Sequence, residues 1–413
     1  MGVSVMETAT KIDVLRQLVA INSVNGNELA VANYLKKLFD AAEIQCDVFP
    51  AGIDRANLVA EIGSGSPVLA VSGHMDVVAA ERRDWHSAPF TLTIEGDRLI
   101  GRGACDMKSG LAALVIAMIE LKEAGTPLHG TVRLLATFGE EFAEKGAAAL
   151  TAAGYMRDVT ALMIAEPSGY RICYGQAGSI DITLTAKGRA AHSSMPNLGS
   201  NAVDQLLSVL YQIKQRVQVV AAGAYNQTLN TDTLFNIDVF HGGEQVNTIP
   251  DLAQAQVNMR TIPEVSNDAL IQVFTDTIDE FNRQHQSHIK FKIEMSLEPI
   301  VGDPHSKMIQ LIQKIALPYY QRAQFSPKEA QQNDQIAQAL GLPANRQAIP
   351  TMGAAGGTDA RRFLVDHPIG ADYSVFGPGN LTAHQGDEYV SQAMYLDFIN
   401  IYEALFPAYL AAK

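Results

Sequence analysis

The chain has 413 residues, long enough for two or three domains with full cores. Hydrophobic residues make up 47% and charged residues 18%, a globular balance that excludes a disordered chain. Lys plus Arg number 31 against 44 for Asp plus Glu, a formal charge of -13, so nucleic acid, whose phosphates need basic clusters, is not the expected partner.

The N-terminal stretch MGVSVMETATKIDVLRQL lacks a basic segment followed by an apolar core, so no secretory leader is expected. The longest apolar run, Leu111 to Ile119, falls short of the roughly 18 residues that span a bilayer. Cys46, Cys105 and Cys173 show no metal or redox spacing. A cytoplasmic protein without a membrane partner is the expectation.

In chain order, ELAVANYLKKLFDAAE is an amphipathic helix and PVLAVSGHMD a short strand running into a loop. KSGLAALVIAMIELKEAG is a largely apolar helix that Gly125 and Pro127 should end. TVRLLATF and ALMIAEP read as buried strands. This alternation predicts an α/β fold, a mixed sheet between helices. The character changes near Gly178, where SIDITLTAKG alternates apolar and polar residues like a half-exposed antiparallel strand. A helix (NAVDQLLSVLYQIKQRV), the strands TLFNIDVFHGG and LAQAQVNMRTI, a second helix (ALIQVFTDTIDEFNRQ) and the strand IKFKIEMS follow. The order is α+β and suits an inserted domain at 180–295, splitting a catalytic domain into 1–179 and 296–413.

Several polar residues stand just past apolar strand runs: His74 and Asp76, Glu140 and Glu141, Glu166, and His384 after DYSVFGPG. Open α/β sheets bind ligands beyond the carboxyl ends of their strands. Asp106 adds a carboxylate at the start of the apolar helix. So many carboxylates and imidazoles aimed at one crevice would repel and desolvate one another unless cations compensate them. The set suits two borderline divalent ions such as zinc, with cobalt or manganese as alternatives. Glu141 is then a ligand, and its neighbour Glu140 is free to act as general base.

Taken singly, each residue has a plainer reading. His74 suits a hydrogen-bonded structural histidine, Asp106 a helix N-cap, and the Glu140–Glu141 pair a solvated turn before a helix. The joint placement after successive strands favours the metal site.

At these residues the chain resembles a family. SGHMDVV, GRGACDMKSGLAA, TFGEEFAEKGA, AEPSG, GRAAHSSMPNLGSNAV, VNTIPDLAQAQVNMR, GGTDARRF and FGPGNLTAHQGDEYV look like motifs of the metal-dependent deacylases and exopeptidases. That family includes succinyl-diaminopimelate desuccinylase, acetylornithine deacetylase, aminoacylase and a folate-cleaving carboxypeptidase. The resemblance implies a zinc-exopeptidase-like fold with a lid and dimerisation domain, and a dizinc site. Asp106 would bridge the metals, with a cis peptide to Met107. His74 and Glu166 would complete one ion, and Glu141 and His384 the other. Asp76 would hold the His74 imidazole, and Glu140 would be the base. His192 would stabilise the oxyanion from a partner subunit in a homodimer, and Arg260 would bind a substrate carboxylate. Asn247, Gly356, Gly357 and Thr358 would add polar contacts.

The implied reaction is hydrolysis of an amide in a small N-acyl amino acid or dipeptide-like substrate, with lid closure accompanying turnover. Desuccinylation of N-succinyl-LL-2,6-diaminopimelate is the leading expectation. Deacetylation of N-acetylornithine, or a dipeptidase or aminoacylase activity, would use nearly the same site. Two rivals come from other classes: a thiol hydrolase using Cys105 at the helix start, and a non-catalytic binding homologue.

Overall fold

The computed structural model describes residues 6–343, 346–354 and 356–411. The first five residues, part of the stretch in which no leader is expected, lie outside the described residues. Two compact units divide the chain: Met1–Tyr174 with Gly302–Met352 and Thr358–Lys413, and Gly175–Val301 with Gly353–Gly357. The crossings fall at 174–175 and 301–302 rather than at 179–180 and 295–296, and the short Gly353–Gly357 segment joins the second unit.

The sheet of the first unit runs Cys46–Pro50, Ala56–Gly63, Thr131–Thr137, Val68–His74, Val159–Pro167, Tyr373–Gly377, Ile172–Gln176. Its four middle strands, from Thr131–Thr137 to Tyr373–Gly377, are parallel. The flanking pairings are antiparallel, which makes the sheet mixed. Val68–His74 and Thr131–Thr137 are buried at every position. Burial on both faces is why such strands read as unbroken apolar runs.

Between those two strands in sequence runs the helix Lys108–Glu123, buried at every residue from Lys108 to Leu121. A helix apolar all round must be enclosed, and this one packs against the sheet and the helices Thr8–Ala20 and Gln392–Leu410. Each fully buried leucine there contributes about 1.5–3 kcal/mol. Gly110 lets its first turn lie on the end of Val159–Pro167, since a Cβ there would sit 2.0 Å from the Ala165 carbonyl oxygen. Because the four middle strands are parallel, the chain leaves all of them at one edge, after His74, Thr137, Pro167 and Gly377. His74, Glu140, Glu141 and Glu166 lie at or just past that edge.

A small antiparallel sheet joins Thr93–Glu95, Arg98–Ile100 and Tyr389–Ser391. Tyr389 pairs with Ile100 and Ser391 with Arg98. The turn after Ile100, which holds Asp106, therefore starts beside the end of the loop that holds His384.

In the second unit, four antiparallel strands stand in the order Leu234–Gly242, Leu252–Thr261, Gly178–Lys187, His288–Leu297. Gly178–Lys187 and Leu252–Thr261 bury largely alternate residues. The inward set forms one core with the helices Ala202–Val220 and Asn267–His285. Asn201 and Ser266 start those helices by accepting hydrogen bonds from first-turn amides, as N-cap residues do. A two-residue ribbon pairs Ala191–His192 with Thr248–Ile249.

Candidate metal centre

The six residues expected to carry the chemistry converge in the first unit. His74 Nε2 lies 3.0 Å from Asp106 Oδ1 and 3.4 Å from Glu166 Oε1. His384 Nε2 lies 3.4 Å from Asp106 Oδ2 and 3.1 Å from both oxygens of Glu141. The two oxygens of Asp106 are thus shared out, one to a set with His74 and Glu166, the other to a set with His384 and Glu141. The donor atoms of His74, Glu140 and Glu166 also lie within 4.8 Å of one another, as do those of His74, Asp106 and Glu141. That looser grouping admits Glu140 beside the first set, while the direct contacts of 3.0–3.4 Å leave it outside both.

Two adjacent glutamates reach one place because the chain stops being a strand before them. Gly139 adopts φ 68 and begins a loop that returns at Gly146. The Gly146 amide donates to the Phe138 carbonyl over 2.9 Å, closing the neck. Buried Asn57 clips the same neck: its Oδ1 accepts from the Phe138 amide at 3.1 Å, and its Nδ2 donates to the Gly146 carbonyl at 3.0 Å. Farther along the loop, the Glu140 and Glu141 amides each donate over 3.2 Å to the carboxylate of fully buried Asp76.

That use of Asp76 differs from its expected role. Its carboxylate stands 3.7 Å from His74 Nδ1, while its backbone carbonyl accepts from Nδ1 at 2.9 Å. The carboxylate is taken up by the loop amides, so the main chain orients the imidazole. With its proton on Nδ1, the ring turns the lone pair of Nε2 toward two carboxylates. Such a nitrogen must gain a proton or face a cation.

The electrostatics show the same demand. Burial disfavours the imidazolium of His74, yet Glu166, Asp106 and Glu140 outweigh it and hold the ring well above its ordinary pKa. Hydrogen bonds to Asp106 and Glu141 raise His384 to about 10. Burial, helped by Asp106, pushes the carboxyl of Glu166 well up, and burial does the same to Glu140, where Asp359 and Glu141 add to it. Glu166 and Glu140 therefore draw in protons, while the two histidines hold Asp106 ionised, and divalent cations compete with protons for such a set. A tetrahedral centre with bonds of about 2.0–2.1 Å spaces its donors about 3.3 Å apart. The observed contacts of 3.0–3.4 Å match that spacing. Donor types, charge and spacing all fit a pair of divalent ions bridged by Asp106, whose peptide to Met107 is cis.

Cys105 is fully buried, and burial together with Glu388 raises its thiol well above the ordinary value. It has no thiolate character to support a thiol hydrolase.

The remaining expected residues belong mostly to the second unit. His192 pairs with Thr248, and the Ser193 amide donates to the Asn247 carbonyl at 3.0 Å, so His192 and Asn247 are neighbours. The Ser194 amide donates to His192 Nδ1 at 3.2 Å. An accepting Nδ1 places the ring proton on Nε2, making that nitrogen a donor. Arg260 is half-buried near the end of Leu252–Thr261, paired with Ser179 and Leu234. Gly356 and Gly357 lie in the second unit and buried Thr358 in the first.

Sequence reading missed Asn57, the loop-pinning role of Asp76, and the buried Arg361–Glu144 pair beside the loop. It also missed Glu388, although the stretch FGPGNLTAHQGDEYV that carries the resemblance contains it.

Known proteins resemble the chain over most of its length. The profile of peptidase family M20/M25/M40 matches residues 70–407. A Staphylococcus aureus (strain MRSA252) protein named "Probable succinyl-diaminopimelate desuccinylase" is 39% identical over 426 residues, covering 98% of each chain. An M20 family metallo-carboxypeptidase from Sulfolobus solfataricus superposes with a TM-score of 0.73 at 18% identity, over 98% of this chain and 100% of that one. A dinuclear metal-binding M20 peptidase from Bacillus subtilis gives 0.64 at 16% identity, over 97% of each. At these identities the two structures speak for the fold.

Proposed function

The chain belongs to peptidase family M20/M25/M40 and is a metal-dependent amidohydrolase, and from that premise we propose that it cleaves the succinyl amide of N-succinyl-LL-2,6-diaminopimelate at a dizinc centre. The observation that carries the dinuclear reading is the carboxylate of Asp106, divided between two donor sets. The substrate assignment is supported by the name of the 39% identical relative. Zinc is favoured by the mixture of imidazole and carboxylate donors.

In this reading His74, Asp106 and Glu166 would hold one ion and Asp106, Glu141 and His384 the other. When bound, the pair supplies Lewis acidity toward the scissile carbonyl and acidifies a water. Glu140 stands beside the first donor set without direct contact to either histidine, free to take a proton from the attacking water and pass it to the leaving amine. Asp76 holds the Glu140 and Glu141 amides, so base and ligand move as one body. His192, with its proton on Nε2, is the proposed oxyanion donor, and the fork of Arg260 the anchor for a substrate carboxylate. Asn247, Gly356, Gly357 and Thr358 are retained as further polar contacts. The enzyme is proposed to work in the cytoplasm as a homodimer formed through the second unit, as the family resemblance implies.

Metal-stripped protein is to be assayed against N-succinyl-diaminopimelate, N-acetylornithine and several dipeptides, with and without zinc or cobalt. Metal-restored cleavage of the succinyl compound alone is expected. Faster cleavage of either alternative would overturn the substrate assignment.

A further inference from the structure

Glu388 is fully buried four residues after His384, and none of the proposed chemistry uses it. Its Oε1 accepts from two successive backbone amides, Cys105 and Asp106, at 2.8 Å each. Its Oε2 pairs with the buried guanidinium of Arg102. Arg102 in turn donates to the Ala79 carbonyl at 3.1 Å and lies over the Trp85 ring, its guanidinium carbon 5.2 Å from the centroid. The backbone carbonyl of Glu388 accepts from Gly101 at 2.9 Å, extending the register that pairs Tyr389 with Ile100. One side chain therefore closes the end of a strand pair whose two extensions carry Asp106 and His384.

A buried carboxylate is retained at such a place only if it is fully paired, and this one is. Its partners are the amide of Asp106 itself and the amide just before it. Asp106 must present one oxygen to each donor set, so a small rotation of its backbone would spoil both sets at once. His384 depends on the same anchor from the other side, because Glu388 ends the loop that carries it, directly before Tyr389–Ser391. The neighbouring Asp387 fastens the outer edge, accepting from the His86 amide at 2.9 Å and pairing with its ring.

We propose that Glu388 is a positioning residue that sets Asp106 and His384 at the spacing divalent metal requires, through its bonds to the Cys105 and Asp106 amides. This rests on the metal reading above. Groups that orient metal ligands in this way change metal affinity about 10–100-fold when removed.

The test is zinc affinity by competition with a chromophoric chelator, a readout independent of turnover, on the wild type, Glu388→Asp and Glu388→Gln. The aspartate keeps the charge facing Arg102 but is shorter by one carbon–carbon bond, about 1.5 Å. The glutamine keeps the reach and the oxygen that accepts from the two amides but turns its NH2 toward Arg102, so it breaks the ion pair and spares the amide bonds. Zinc affinity is expected to fall about 10–100-fold in Glu388→Asp and by less in Glu388→Gln. An aspartate variant that binds zinc like the wild type, or a glutamine variant weakened more than the aspartate, overturns the proposal. Should Glu388→Asp fail to fold, amide hydrogen exchange in the metal-free wild type decides: protected Cys105 and Asp106 amides support the pin, and exchange at the free rate refutes it. A wild type that binds no metal overturns the reading of the centre itself, a result distinct from a failure of Glu388 alone.

Discussion

Replacing Asn57 by Ala should destabilise the first unit by about 3 kcal/mol. The amide of Asn57 makes two hydrogen bonds at the neck of the Glu140–Glu141 loop, 3.1 Å from the Phe138 nitrogen and 3.0 Å from the Gly146 oxygen. The residue is 2% exposed, so truncation strands one buried donor and one buried acceptor. Each stranded group costs about 1–3 kcal/mol, which brackets the total at about 2–6 kcal/mol, and partial refilling by water favours the lower half. The chain has one tryptophan, Trp85, buried in the first unit, so its fluorescence in a urea titration follows that unit alone. Asn57→Asp should lose at least as much, because it sets a carboxylate oxygen against the Gly146 carbonyl. Since the clipped loop carries Glu140 and Glu141, zinc affinity should fall together with stability. A change below about 0.5 kcal/mol for Asn57→Ala would refute the clip, as that is the size of an ordinary surface substitution.

Glu140→Gln should lower turnover by about 10²–10⁴-fold while zinc content, measured by atomic emission, stays at the wild-type level; loss of zinc would instead make Glu140 a ligand. Gly110→Ala should destabilise by about 1–3 kcal/mol and weaken metal binding, because the new Cβ meets the Ala165 carbonyl beside Glu166; thermal melts and zinc titration check both. Glu403 carries a carboxyl raised from 4.5 to about 8 by burial and by Glu120 beside it. The folded state keeps a proton there that the unfolded state gives up, so this contribution to stability is full below pH 4.5 and is lost as pH rises toward 8. Melting temperatures between pH 5 and 8.5 should therefore fall less steeply in Glu403→Gln than in the wild type; parallel curves would contradict the assignment.

The catalytic edge was legible because of how parallel strands are buried. Val68–His74, Thr131–Thr137 and the run through Ile164 are covered on both faces, so they stand out as apolar runs, and a charged residue just past each is conspicuous. The second unit announced itself by the opposite pattern, alternate burial along Gly178–Lys187 and Leu252–Thr261. Arg98–Ile100 and Tyr389–Ser391 were not legible, since three residues carry no periodicity. The pins were hidden for a different reason. Glu388 meets the Asp106 amide across 282 positions and Asn57 meets the Gly146 carbonyl across 89, separations that no local sequence pattern spans. Asp76 illustrates the same limit. Its spacing from His74 showed that the two would interact, but which atoms would do so depended on where the Glu140–Glu141 loop lay.

The central claim is a pair of divalent ions bridged by Asp106, and counting zinc by equilibrium dialysis of the metal-stripped wild type tests it most directly. The account predicts two zinc ions bound per chain, and a loss of both in Asp106→Ala, because each set depends on one of its oxygens. A wild type that binds a single zinc, or an Asp106→Ala variant that still binds two, would contradict it.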